Sequence, residues 1–195
     1  MPPDLDVWLP GAQIRVRHRR EAQADPAELW AAAQAVRLRD ARNLGRLVRL
    51  RIPGLSPDLR FDEMFRAPPF YVLFEDELTL VSGLVGRIWT MRRDYPSLSG
   101  ADEFRSWSRR GTVRVLFANW VQPTDDGQAA LVSETRVQAV DRRGRLGLAA
   151  VRPLISSSHQ LVSRDGIRAA LRGVGDSRGA DLAESEPSAD QADGA

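Results

Sequence analysis

The chain has 195 residues, 43% of them apolar and 28% charged, which suffices to bury the core of one domain and excludes a wholly disordered protein. It has no Cys and two His, and all 28 of its basic residues are Arg, so disulfides, Cys-ligated zinc, Fe–S clusters, thiolate nucleophiles and lysine-dependent chemistry are excluded. The net charge of +2 is uneven: residues 176–195 hold six acids and one Arg, a net −5, which leaves +7 on residues 1–175.

Residues 1–13 read as an irregular lead. It carries acids where an export signal needs positive charge, and no apolar run reaches the ~20 residues that span a bilayer, so a soluble, cytoplasmic protein is expected. Residues 14–21 alternate apolar and polar side chains, as a half-buried strand does. Asp25-Pro26-Ala27-Glu28 supplies an N-cap, a proline at the first helical position and an acid at N3, predicting a helix to about Val36 with Leu29, Trp30 and Ala33 inward. A second short helix is expected from Asp40, with Leu44, Leu47 and Val48 on one face and Arg42, Arg46 and Arg49 on another; Pro53-Gly54 ends it. Strands are expected over residues 59–66, 70–76 and 77–89, the first two separated by Pro68-Pro69. Residues 90–111 form a polar excursion with a helical turn near 101–106. Residues 112–122 and 129–140, joined by the turn Pro123-Thr-Asp-Asp-Gly127, form a β-hairpin.

From Arg142 to about Val174, apolar residues at 148, 151, 155 and 162 recur at helical spacing, while Pro153 and Ser156-Ser157-Ser158 should kink or break the helix. Residues 175–195, made of Ala, Ser, Gly, Asp, Glu and Pro, read as a disordered acidic tail.

This order of elements, a strand, two short helices, an antiparallel run and a long C-terminal helix, resembles that of the START-like helix-grip superfamily, the polyketide cyclase/dehydrase and lipid transport proteins. Ala24-Asp-Pro-Ala-Glu-Leu-Trp30 is similar to the opening of that superfamily's first helix. The stretches Glu77-Leu-Thr-Leu-Val-Ser-Gly-Leu-Val-Gly-Arg-Ile-Trp89 and Ser133-Glu-Thr-Arg-Val137 resemble the central strands of an uncharacterised bacterial branch, and the likeness covers residues 14–172. It implies an α+β fold over residues 14–174: a curved antiparallel β-sheet wrapped around the long C-terminal helix, with a cavity between them that takes an apolar ligand. Pro153 and Ser156 to Ser158 depart from a continuous helix and so bear on the cavity roof.

Strand periodicity selects the residues that would line such a cavity. Leu80, Ser82 and Leu84 share an apolar face of one strand, Val115, Phe117 and Asn119 of the next, and Ser133 and Thr135 of the last, with His159 facing them from the helix. The small polar groups among them suit a pocket that orients a mostly apolar molecule, although they equally suit local hydrogen bonds in a filled core. Glu134 and Arg136 fall on the opposite face and read as a solvent-side ion pair with Arg87 or Arg114. His18 lies among Arg17, Arg19 and Arg20, whose charge disfavours its protonation, and a Ser–His pair of His159 with Ser157 or Ser158 has the wrong helical spacing.

The expected function is therefore binding of a small apolar ligand of lipid, polyketide or isoprenoid type, with no catalytic residue, no cofactor and no metal. A cyclase or aromatase-like enzyme is the alternative, and it would need a titratable group inside the cavity. Arg-mediated contact with nucleic acid or an acidic partner, through Arg15, Arg17, Arg19 and Arg20 or Arg39, Arg42, Arg46 and Arg49, is the weaker one, because no nucleic-acid motif accompanies them.

Overall fold

A computed structural model describes residues 1–40, 56–90, 94–124 and 128–150. After a 3-10 turn at Leu5–Val7 come strand β1 (Ile14–Ala22), helix α1 (Pro26–Ala35), helix α2 (Phe61–Arg66), strands β2 (Tyr71–Asp76) and β3 (Thr79–Gly86), helix α3 (Ala101–Ser106) and strands β4 (Val113–Pro123) and β5 (Ala129–Ala139). Residues 142–150 are helical and are labelled α4. The fold is α+β: all five strands pair antiparallel in one sheet in the order β1-β5-β4-β3-β2. The first strand thus lies beside the last, and β1 and β2 are the sheet edges. Among the described residues no helix is long and apolar enough to cross a membrane.

Several elements follow from local chemistry. Asp25 caps α1 by accepting the Ala27 N–H at 2.8 Å, with Pro26 at a position where its missing N–H costs nothing. The β2–β3 turn is tied by the Leu78 N–H donating to Asp76 Oδ1 at 3.0 Å, and the β4–β5 hairpin by Thr124 N–H to the Gln128 carbonyl at 2.8 Å. The turn expected in the excursion is α3; at its start Glu103 accepts both the N–H and the hydroxyl of Ser99 at 2.7 Å, which holds its carboxyl below the usual range.

Two strand expectations need correction. Residues 59–66 are not a strand: Phe61–Arg66 is a helix, because Glu63 Oε2 accepts the Arg60 N–H at 3.1 Å at its start, Phe61, Met64 and Phe65 recur at helical spacing, and Asp62 pairs with Arg66 one turn on at 2.8 Å. The strand expected over 77–89 is shorter, ending at Gly86, whose φ of +143° suits glycine and where a side chain would collide with the Asp94 carbonyl. The helix expected from Asp40, the kink at Pro153 and Ser156 to Ser158, and the tail 175–195 lie outside the described residues.

The sheet is covered on both faces, and every residue of β3 is buried. One face carries two apolar clusters. In the first, Leu29 and Trp30 of α1 pack with Leu80, Val121 and Leu131, and Ala33, Phe61 and Phe65 are partly buried against them. In the second, Leu148 of α4 packs with Ile14, Leu84, Val113, Val115 and Val137. The helix can approach this closely because Gly147 meets the Trp89 ring, where no side chain would fit. The other face, expected to meet solvent, does not. Leu5 and Leu9 of the N-terminal lead and Phe104 of α3 cover Val81, Val85, Leu116, Ala118, Trp120 and Val132. Each such large side chain contributes roughly 1.5–3 kcal/mol when fully buried, so the lead is part of the core.

Candidate functional site

The strand registers place eight of the nine candidate ligand-binding residues on one face of the sheet, in three successive rows. Leu80, Asn119 and Ser133 are cross-strand partners in one row, Ser82, Phe117 and Thr135 in the next, and Leu84 and Val115 in the third beside Val137. The ninth, His159, lies outside the described residues. Pairing of β1 with β5 extends the rows by His18, opposite Ser133, by Val16, opposite Thr135, and by Ile14, opposite Val137. His18 and Val16 belong to this face although the sequence reading does not include them in it. The signal is present in the period-2 alternation of Ile14, Val16 and His18.

Burial separates the rows. The outer one, Ile14, Val137, Val115 and Leu84, is buried under the α4 end, at 7, 1, 3 and 6% exposure. On the other side Val121 and Leu131 are buried under α1. Between them Val16, His18, Phe117, Asn119 and Ser133 are half-buried. This strip runs across the strands from the β1 edge and closes at β3, where Leu80 and Ser82 are buried. Its span of three strand spacings is roughly 14 Å.

The strip is chemically graded. Near β1 it offers His18, Ser133, Asn119 and Thr135, groups that both donate and accept hydrogen bonds. Toward β2 it is aromatic: Phe117 meets Phe65 at 5.3 Å and Phe70 at 5.6 Å between ring centroids, and Phe65 and Phe70 meet edge to face at 5.2 Å. Ser82, directly opposite Phe117, is 0% exposed and its hydroxyl has no hydrogen-bond partner. Among the described residues no cluster of three or more His, Asp or Glu could hold a metal ion.

Glu134 and Arg136 require correction. They do lie on the face opposite the strip, but they are buried at 7% exposure rather than solvent-side, and neither Arg87 nor Arg114 is their partner. Arg136 donates to Glu134 Oε1 at 2.6 Å and to Asp6 Oδ1 at 2.7 Å, which ties the lead to the sheet. Burial alone would lower the Arg136 pKa, but the hydrogen bonds and charges of Glu134 and Asp6 outweigh it and raise it. Arg114 instead donates to the Phe104 and Arg105 carbonyls at the end of α3 and to Gln138, and burial lowers its pKa. Arg87 pairs with Asp94 at 3.5 Å.

The Arg groups of the chain's first third are partly neutralised. Arg15 pairs with Asp6 at 3.2 Å, Arg19 with Glu21, and Arg37 and Arg39 share Asp58. Arg17 lies over the Trp120 ring at 5.1 Å. Arg42, Arg46 and Arg49 are outside the described residues.

No family model matches the chain, and no curated protein matches it. The crystal structure of TTHA0849 from Thermus thermophilus aligns with 89% of this chain and 100% of that one, at 12% identity and a TM-score of 0.32.

Proposed function

We propose that this chain is a START-like helix-grip binding protein that holds a small apolar molecule, of lipid, polyketide or isoprenoid type, between the sheet and a long C-terminal helix, without a defined reaction. The observation that carries the reading is the half-buried strip between two fully buried borders on one sheet face, holding Phe117, Asn119 and Ser133 beside Ser82 and Thr135. A mostly apolar surface with a few convergent polar groups is the usual composition of a small-molecule site. Two features of the chain path support the grip. Two residues separate the end of β5 from the start of helix α4, and its Leu148 returns onto this same face. The return of β1 to the far side of β5 widens that face by Ile14, Val16 and His18.

Native mass spectrometry of freshly purified protein, with displacement of a fluorescent fatty-acid probe, tests the reading. Bound small molecules and a saturable displacement weakened by Phe117→Ala are expected. A protein free of bound molecules that leaves the probe undisplaced overturns it.

The cyclase-like alternative gains one specific observation, the titratable His18 placed opposite Ser133 on the strip. It predicts an activity abolished by His18→Gln while ligand is still bound. The acidic-partner reading draws no comparable support, since Arg15, Arg19, Arg37 and Arg39 already have carboxylate partners.

A further inference from the structure

We propose that the strip selects an amphipathic carboxylate, received acid-first at the β1 end with its apolar part directed toward β3; this rests on the binding reading above. The polar groups are not scattered. His18, Ser133 and Asn119 are consecutive cross-strand partners, so their Cβ atoms follow one another at about 5 Å along a single row. Thr135 and Ser82 lie diagonally to either side of Asn119, and the Phe65, Phe70 and Phe117 rings border them on the β2 side.

Charge decides which head group this row prefers. No Asp or Glu of β1, β3, β4 or β5 shares the face: Glu21 and Glu134 fall on the opposite one, and Glu134 is already held by Arg136. Arg20 is on the strip's face, two residues beyond His18 and opposite Leu131. It is exposed, and among the described residues no carboxylate pairs with it, unlike its neighbours Arg15 and Arg19. A guanidinium at the rim next to a row of hydroxyl and amide donors attracts a planar anion with two acceptor oxygens. An ammonium head would meet Arg20 without a compensating acid.

The test is titration calorimetry of the full chain with dodecanoate and with dodecanol. The acid is expected to bind about tenfold tighter than the alcohol, and the preference to fall below about threefold in Arg20→Gln. Arg17→Gln, on the opposite face of the same strand, keeps the preference. Equal binding of acid and alcohol, or an undiminished preference in Arg20→Gln, overturns the carboxylate assignment and leaves the binding reading standing. Binding of neither compound overturns both.

Discussion

Arg136 and Glu134, two positions apart on β5, meet inside the protein: Nε donates to Oε1 at 2.6 Å, and each residue is 7% exposed. Residues i and i+2 of a strand share a face, so the pair is geometrically natural, and the lead covers it through Asp6 and the Leu9 carbonyl. Its energetics are asymmetric. Two buried charges gain little over well-packed apolar side chains, but one of them left alone is expensive. Arg136→Met is therefore expected to lower unfolding stability by about 3–5 kcal/mol. The double variant Glu134→Leu/Arg136→Met should recover most of that loss. Urea denaturation of the two variants checks it, and equal losses would show that the charges are not coupled.

Gly83 of β3 sits directly beneath α3. A methyl group there would come within 2.7 Å of the Phe104 ring and 2.9 Å of Leu73 Cδ1, so Gly83→Ala forces the helix off the sheet. Overpacking of this kind costs about 1–3 kcal/mol. The expected signature is rescue: Phe104→Leu destabilises on its own, yet on the Gly83→Ala background it should cost less than it does alone. A double-mutant cycle from thermal melts measures the coupling, and strict additivity would contradict it.

Much of the sheet is legible in the sequence because its signals are local. Alternation in 14–21, the Asp25-Pro26 start and the hairpin around residue 125 each need only a few neighbours, and the structure has all of them. The same alternation places Leu80, Ser82, Phe117, Asn119, Ser133 and Thr135 on one face, since a strand's period fixes which residues go together. What alternation does not reveal is what covers each face. Leu5 and Leu9 have no period, so nothing local marks the lead as a lid on β5, and composition alone predicts a wet face for Glu134 and Arg136. In sequence His18 has only Arg neighbours, whereas its neighbour in space is Ser133, fixed by a pairing across more than a hundred residues. The difference at 59–66 has another origin: a single helical turn and a short strand carry similar apolar content, and the Glu63 carboxylate that reaches back to accept the Arg60 N–H decides between them.

Asp141 couples the β4–β5 sheet to α4. Its Oδ1 accepts the Gly144 N–H at 2.8 Å, capping the helix, and the Gly111 N–H at 3.0 Å. The first of these bonds is the main reason its carboxyl is held below the usual range; desolvation opposes it, and the second bond with the charges of Arg110 and Arg143 adds to the lowering. A folded pKa below the unfolded value of about 3.9 means the contribution is complete above that pH and disappears as pH falls through the folded value. Asp141→Asn keeps a good cap without the titration, so its stability should fall less on acidification than that of the parent. Urea midpoints at neutral pH and near pH 3 measure this: the gap between the two proteins should narrow at the acidic end. A gap that is constant with pH would remove Asp141 from the acid limb.

Ser82 offers a test in which the sign of the effect reports on the ligand. In most cores truncating a side chain destabilises, because contacts are lost and a void remains. Here the lost atom is a fully buried hydroxyl with no hydrogen-bond partner, and its removal relieves a desolvation cost of about 1–3 kcal/mol against a void no larger than one oxygen. Ligand-free Ser82→Ala is therefore expected to be as stable as the parent or more stable by up to about 1 kcal/mol. With saturating dodecanoate the order should stay the same, because the acid's carboxylate is held at the β1 end and only its hydrocarbon chain runs toward β3. Paired melts with and without the acid decide it. A variant destabilised in both conditions would show that Ser82 serves the core, and a reversal with the acid would put its carboxylate at β3 and overturn the acid-first orientation.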